Sequence, residues 1–200
     1  MSIVDRPSTA PAAFPRRAPI TLAMYDRMLA AGVFKPAELH PLELIEGELR
    51  MMSPIGDRHA DAVAFLTRWS SQHADLSRML VWVQNPLMLP ASESAPQPDI
   101  AWVTLRRYAD RRPLPEEVSL VIEVADTSLD FDTAVKAGLY AAAGIADYWV
   151  IDLVSRGVIV FRDPRSGAYE TRSTHRGDEL VSPLALPSAA LSPAELFLPE

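Results

Sequence analysis

Apolar side chains recur at Leu22, Met24, Tyr25, Met28 and Leu29, a helical spacing that Thr21 can cap and Gly32 can stop. The segment from Leu42 to Met52 predicts a strand, a turn at Glu46-Gly47 and a second strand. From Asp57 to about His73, Val63, Leu66, Trp69 and Ser70 mark an amphipathic helix. Met79–Gln84 and Leu87–Leu89 are short apolar runs, predicted as paired strands interrupted by Pro86, and residues 90–98 read as a Pro- and Ser-rich loop. Asp99–Val103 returns to strand. Val118–Ala125 is a near-continuous apolar run, the pattern of a strand buried on both faces. A helix over about Asp132–Ala143, closed by Gly144, precedes three further strands at Tyr148–Leu153, Val158–Arg162 and Tyr169–Ser173. Beyond Pro183 the pattern offers at most one helical turn, Ser192–Phe197. Trp102, Val121, Leu139 and Trp149 fall at core positions. Residues 1–19 carry Pro7, Pro11, Pro15 and Pro19 and predict an extended tail. The order of elements over 20–197 predicts one α/β domain, a central mixed sheet flanked by helices.

Composition narrows the classes. With 48% hydrophobic residues in 200, the chain can bury a real core and is not disordered throughout. Cysteine is absent, which excludes disulfides, a thiolate nucleophile and Cys-ligated zinc. No apolar run approaches the roughly 18 residues that span a bilayer, and the N-terminus lacks the apolar segment of a signal peptide, so a cytoplasmic protein with no membrane partner is expected. The net charge of −7 argues against holding nucleic acid by bulk charge, though not against a nuclease whose acids are offset by metal cations. Of the 19 basic residues only Lys35 and Lys136 are lysine.

Acids inside apolar strands carry the chemistry. Glu123 interrupts Val-Ser-Leu-Val-Ile-Glu-Val-Ala, where an ionised carboxylate is costly without a partner or a metal. Asp99 opens the preceding strand, directly after Pro98. Two acids from neighbouring strands form a hard-oxygen site suited to Mg²⁺, unless each simply meets solvent or an arginine. Lys136 lies on the helix after the Glu123 strand, with Asp132 one turn earlier. It either forms an exposed pair with Asp132 or folds back toward Glu123, where an ammonium would orient a water and offset developing charge.

An ordered set of motifs goes further. Glu43-Leu-Ile-Glu-Gly-Glu-Leu-Arg-Met-Met-Ser-Pro, Arg58-His59, Pro98-Asp99-Ile100, Val121-Ile122-Glu123-Val124 and Lys136 through Tyr148-Trp149 follow one another over roughly residues 20–195. This arrangement resembles the Uma-type restriction endonuclease family, a branch of the PD-(D/E)XK nuclease superfamily. The resemblance implies a restriction-endonuclease-like fold and Mg²⁺-dependent hydrolysis of DNA, with Mn²⁺ as a substitute. It matches Asp99 and Glu123 to the two metal-binding acids and Glu48 to an early acid, either a further ligand or an exposed hairpin residue. The superfamily lysine usually sits two residues after the second acid. That position is Ala125 here, and the family's lysine maps to Lys136 on the following helix. His59 matches a recurrent Arg-His pair at a helix start, as a capping or packing residue or as a base.

Competing chemistries find no support. His40, His59, His73 and His175 lack the i, i+4 spacing of a zinc hydrolase, and neither a phosphate-binding glycine loop nor a Gly-x-Ser-x-Gly elbow occurs. Arg106, Arg107, Arg111 and Arg112 are the densest basic patch, either a phosphate grip or a solvated loop. The sequence thus predicts an endonuclease with Asp99, Glu123, Lys136 and Glu48 at its site. Its rival is a non-catalytic nucleic-acid- or protein-binding domain on a degenerate nuclease fold. Cutting both strands of a duplex would suit a homodimer.

Overall fold

The structure is a computed structural model that describes residues 18–34, 42–52 and 55–197. The expected extended tail lies outside these residues except for its last two positions, as do Lys35, His40 and the Ser53-Pro54 end of the first motif.

Helix α1 (Leu22–Ala30) starts as the spacing predicts, with Thr21 Oγ1 accepting from the Met24 amide. Leu22 and Tyr25 pack against Leu44 and Ala95. Strands β1 (Leu42–Ile45) and β2 (Glu48–Met51) form the expected hairpin. Its corner residues, Glu46 and Gly47, take φ of 50° and 75°, the twist a two-residue turn needs. At Gly47 a Cβ would also come 2.7 Å from that of Pro19, so glycine is required there twice over.

A six-stranded sheet forms the centre, in the order β3 (Met79–Val83), β4 (Ile100–Thr104), β5 (Val118–Ala125), β6 (Asp147–Asp152), β7 (Gly157–Arg165) and β8 (Ala168–Arg176). Only the β5–β6 pair is parallel, which makes the sheet mixed. Parallel neighbours need a crossover. Here it is a π-helix over Phe131–Lys136 that runs into helix α3 (Ala137–Ala142).

Both faces of the sheet are covered, which explains the unbroken apolar run of β5. Ile122 and Val124 join Trp102 and Trp149 beneath Leu66 and Trp69 of α2 (Asp57–His73), while α4 (Pro193–Leu196) closes the same layer with Leu196. On the opposite face Val121 and Ala125 pack with Tyr148, Val150 and the α3 residues Leu139 and Tyr140. The four expected core residues, Trp102, Val121, Leu139 and Trp149, are at most 4% exposed.

Three elements differ from the sequence reading. Leu87–Leu89 does not pair with β3, which pairs with β4 instead. Gln84 turns with φ of 47° and Pro86 has no amide to donate. The amides of Leu87, Met88 and Leu89 are satisfied by Pro96, Pro113 and Ser94 carbonyls, so the segment is a tied-down loop. The last two strands extend beyond the apolar runs that marked them, because β8 has a largely exposed edge whose polar residues carry no alternation. The predicted α-helix over 132–143 begins as a π-helix.

Candidate active site

The register pairs Ile100 with Ile122, so Asp99 stands one step further along, beside Glu123. Asp99 Oδ2 accepts the Val124 amide at 2.8 Å, tying the start of β4 to β5. His59 Nε2, from the first turn of α2, lies 3.2 Å from the same oxygen. Gln84 Nε2 donates to Asp99 Oδ1 at 3.2 Å. Both carboxylates therefore sit where β5 ends and the crossover begins.

Along β5 side chains alternate, and Glu123 shares the α3 face with Val121 and Ala125. Its Oε1 accepts from Lys136 Nζ at 3.0 Å and from the Tyr140 hydroxyl at 2.9 Å. Lys136 Nζ also lies 3.5 Å from Glu43 on β1 and 4.0 Å from Asp132. Asp132 and Lys136, four residues apart on this coil, are both buried and share its inward face. Tyr148 on β6 pins that coil by donating to the Asp132 carbonyl at 3.0 Å.

Glu43, Asp99, Glu123, Asp132 and Lys136 are each at most 5% exposed. Three of these carboxylates, Glu43, Glu123 and Asp132, lie within 4.0 Å of the Lys136 ammonium, while Asp99 faces His59. Burial raises Glu123 well above the usual carboxylate range, against the pull of Lys136. It likewise raises Asp132 to about 6. Burial alone would lower Lys136, but Glu123, Glu43 and Asp132 outweigh it and hold the ammonium firmly charged. The hydrogen bond to Asp99 raises His59, whose buried Nδ1 has no partner among the described residues.

Asp99, Glu123 and Lys136 come together, and Lys136 turns inward rather than forming an exposed pair. Glu48 does not join them. Its carboxylate is 45% exposed and lies 3.4 Å from Arg50, and it does not line the cleft. The early acid that reaches Lys136 is Glu43, five residues before it. The signal that singled out Glu123, an acid inside an apolar strand (Leu42-Glu43-Leu44-Ile45), was present there too. Nothing in the sequence marked Gln84, and Tyr140 stood inside the Lys136-to-Trp149 motif without a role of its own. The arginine-rich connection lies away from the cleft: Arg111 and Arg106 bind Glu117, and Arg112 binds Asp26.

Among the described residues no group of three or more His, Asp or Glu converges at metal-ligand spacing. Mg²⁺ asks for less, one or two carboxylates with water and substrate phosphate completing its shell. Asp99 and Glu123 are such a pair, and Glu123 Oε2 takes no hydrogen bond from the described residues. The shortage of positive charge around four buried acids fits a divalent cation. Above them opens a cleft of about 760 Å³ whose mouth includes Arg50, Met51, Ile55 and Phe131.

Comparison with known proteins agrees with this architecture. Residues 25–194 match the profile of the Uma2 family, described as "Putative restriction endonuclease". Among solved structures the fold is similar to that of "a putative nuclease belonging to DUF820" from Anabaena variabilis ATCC 29413. The TM-score is 0.71 at 18% identity, over 90% of this chain and 98% of that one. No curated protein matches the chain. Among the described residues no helix is long and apolar enough to cross a membrane.

Proposed function

The chain belongs to the Uma2 restriction endonuclease family, and from that premise we propose that it is a Mg²⁺-dependent nuclease hydrolysing DNA phosphodiester bonds. The observation that carries this reading is the 3.0 Å contact of Lys136 Nζ with Glu123 Oε1, across 13 residues of chain. It returns an ammonium to the second acid although the strand position that usually supplies it is Ala125.

Asp99 and Glu123 would hold the metal. Bound there, Mg²⁺ or Mn²⁺ would polarise the phosphate and lower the pKa of a coordinated water. The chain's own groups prepare that site. The Val124 amide, Gln84 Nε2 and His59 Nε2 fix the two oxygens of Asp99. Lys136 and the Tyr140 hydroxyl fix one oxygen of Glu123 and leave the other open toward the cleft. Held charged by its three carboxylate neighbours, Lys136 places an ammonium where it would orient the attacking water and offset charge gathering on the phosphate. Glu43 keeps Lys136 in place while its Oε2 accepts the Gln97 amide at 3.1 Å.

The test is cleavage of duplex, single-stranded and branched DNA, with Mg²⁺ and Mn²⁺ supplied separately. Metal-dependent cleavage is expected from the wild type and lost in Lys136→Ala and Lys136→Arg, because the planar guanidinium does not replace a compact ammonium. DNA binding in Ca²⁺ should survive both changes. Absence of metal-dependent cleavage of every form would transfer the cleft to a non-catalytic binding module.

A further inference from the structure

The mouth of the cleft has a chemistry unlike that of its floor. Arg50 spreads over the Phe131 ring, its Cζ 5.1 Å from the centroid. Met51 and Ile55 beside it are 65% and 57% exposed and adjoin one another at the mouth. Of the described residues lining the cleft, Arg50 and Lys136 are the only arginine or lysine, and Lys136 is buried among carboxylates. Arg58, just outside, lies 3.9 Å from Asp126 and donates to the Leu153 carbonyl. Arg106, Arg111 and Arg112 are bound to their own acids elsewhere. A duplex presents a dense row of phosphates on both strands, and gripping it takes many cations. This mouth offers the Arg50 guanidinium, which lies over Phe131 and 3.4 Å from Glu48, and a pair of flexible apolar side chains, with Lys136 Nζ 6.0 Å from the same ring and Arg58 exposed at the edge. The floor acids Asp99 and Glu123 are only 5% and 3% exposed, which favours a phosphate on a flexible single strand over one held on the surface of a helix.

We propose that the mouth takes an unpaired nucleotide, its base stacked at Phe131 and Arg50 and flanked by Met51 and Ile55. The substrate would then be single-stranded or locally unpaired DNA in preference to intact duplex. This rests on the nuclease reading above, for it is the phosphate at the floor that sets the base at the mouth. Stacking on a ring and a guanidinium tolerates every base, so the site reads the absence of pairing and not a sequence.

The experiment is fluorescence anisotropy in Ca²⁺, with a labelled short oligothymidylate and a matched duplex of equal length, titrated with NaCl. The single strand should bind at least tenfold more tightly. Its log-log salt slope should be shallow, about −1.4 for two phosphate contacts on a single strand. Phe131→Leu keeps an apolar side chain and removes the ring, and should weaken single-strand binding about tenfold, whereas Phe131→Tyr should retain it. Circular dichroism melts of both variants check that the fold is unchanged. Duplex binding equal to or tighter than single-strand binding, no binding of either, or an unaffected Phe131→Leu would overturn the proposal. A wild type that binds the single strand through Phe131 but cleaves nothing would refute the nuclease reading and leave this site standing. Faster cleavage of duplex than of single strand would do the reverse.

Discussion

The connection between β4 and β5 and the cleft at the end of β5 are both dense in charge, yet they hold it in opposite ways. In the connection Glu117 and Asp110 each have a cation beside them. Glu117 accepts from Arg111 at 2.6 and 2.7 Å and from Arg106 at 3.4 Å, and the Arg111 hydrogen bonds lower its pKa to about 2. In the cleft Glu43, Glu123 and Asp132 share one lysine while Asp99 faces His59, and burial raises Asp132 to about 6 and Glu123 well above the usual carboxylate range. A network that neutralises itself stabilises its loop and needs nothing else. A buried cluster short of cations is under tension that only a metal, a proton or a substrate relieves, and such perturbed groups gather at functional sites. The basic patch that looks best suited to phosphates in the sequence is therefore largely tied up in its own ion pairs, while the acidic pocket is the one that the proposed function uses.

The largest effect that would break this contrast is expected at Lys136. Lys136→Ala leaves Glu123, 3% exposed, with the Tyr140 hydroxyl as its remaining donor among the described residues. That should cost about 3–5 kcal/mol of stability and about 10²–10³-fold in turnover. Pairing it with Glu123→Gln removes the stranded charge and should restore most of the stability but none of the activity. Urea unfolding of the two single variants and the double variant measures the coupling. If Lys136→Ala unfolds like the wild type, the cluster is not under the tension described.

Next in size is the response to a cation. On the proposed reading Mn²⁺ would bind only the folded cleft, and should raise its stability by about 2.7 kcal/mol at a hundredfold excess over Kd. Asp99→Asn can itself be stabilising, because it removes a negative charge beside Glu123. The informative quantity is accordingly the Mn²⁺-dependent rise in Tm, which should shrink in Asp99→Asn and persist in Glu117→Gln. An equal rise in wild type and Asp99→Asn would remove Asp99 from the metal site.

The same contrast explains what the sequence disclosed. Hydrophobic period located α1, α2, the first hairpin and the buried strands, because burial on one or two faces writes itself into alternation. It located Asp99, Glu123 and Lys136 because a charge in an apolar run, or a lone lysine among arginines, stands out from its background. It passed over Glu43, which meets the same criterion as Glu123 but sits in a four-residue strand next to the more conspicuous Glu46-Gly-Glu48. Gln84 was invisible, and Tyr140 stood in a motif without a role, since a tyrosine on an apolar helix face reads as core until its hydroxyl has a partner. The π-helix left no trace either: six residues are too few for a period to separate it from an α-helix. Leu87–Leu89 misled because apolar content was read as pairing, whereas Pro86 and the loop carbonyls decided the backbone.

Acid and base should pull the two regions in opposite directions by a smaller amount. Asp132 has a folded pKa of about 6 against an ordinary 3.8. Its favourable contribution is complete below the lower value and is lost as pH rises through the higher one. Wild type should therefore lose about 1–3 kcal/mol relative to Asp132→Asn between pH 4 and 7. Glu117 has a folded pKa of about 2 against 4.5, so its contribution is present above 4.5 and fades as pH falls toward 2. Relative to wild type, Glu117→Gln should lose about 1–2 kcal/mol at neutral pH and little at pH 2. Unfolding curves of the three proteins across pH check both signs, and parallel curves would erase the difference between the regions.

The smallest effect is expected at Arg106, and it bears on the phosphate-grip reading of the arginine-rich connection. Its guanidinium reaches Glu117 at 3.4 Å and Asp110 at 3.5 Å, and its side chain is 37% exposed. Exposed pairs at such distances contribute about 0.2–1 kcal/mol and weaken in salt. Glu117 also keeps its shorter bonds to Arg111 when Arg106 is removed. Arg106→Ala should accordingly lower stability by about 0.5 kcal/mol or less, and by less again in 0.5 M NaCl, where the Debye length is roughly 4 Å. Because the connection does not line the cleft, DNA affinity in Ca²⁺ and its salt slope should match wild type within error. A phosphate contact would instead reduce the slope by nearly one unit and weaken every DNA form alike. That result would make the arginines of this connection part of the nucleic-acid surface and not only the partners of Glu117, Asp110 and Asp26.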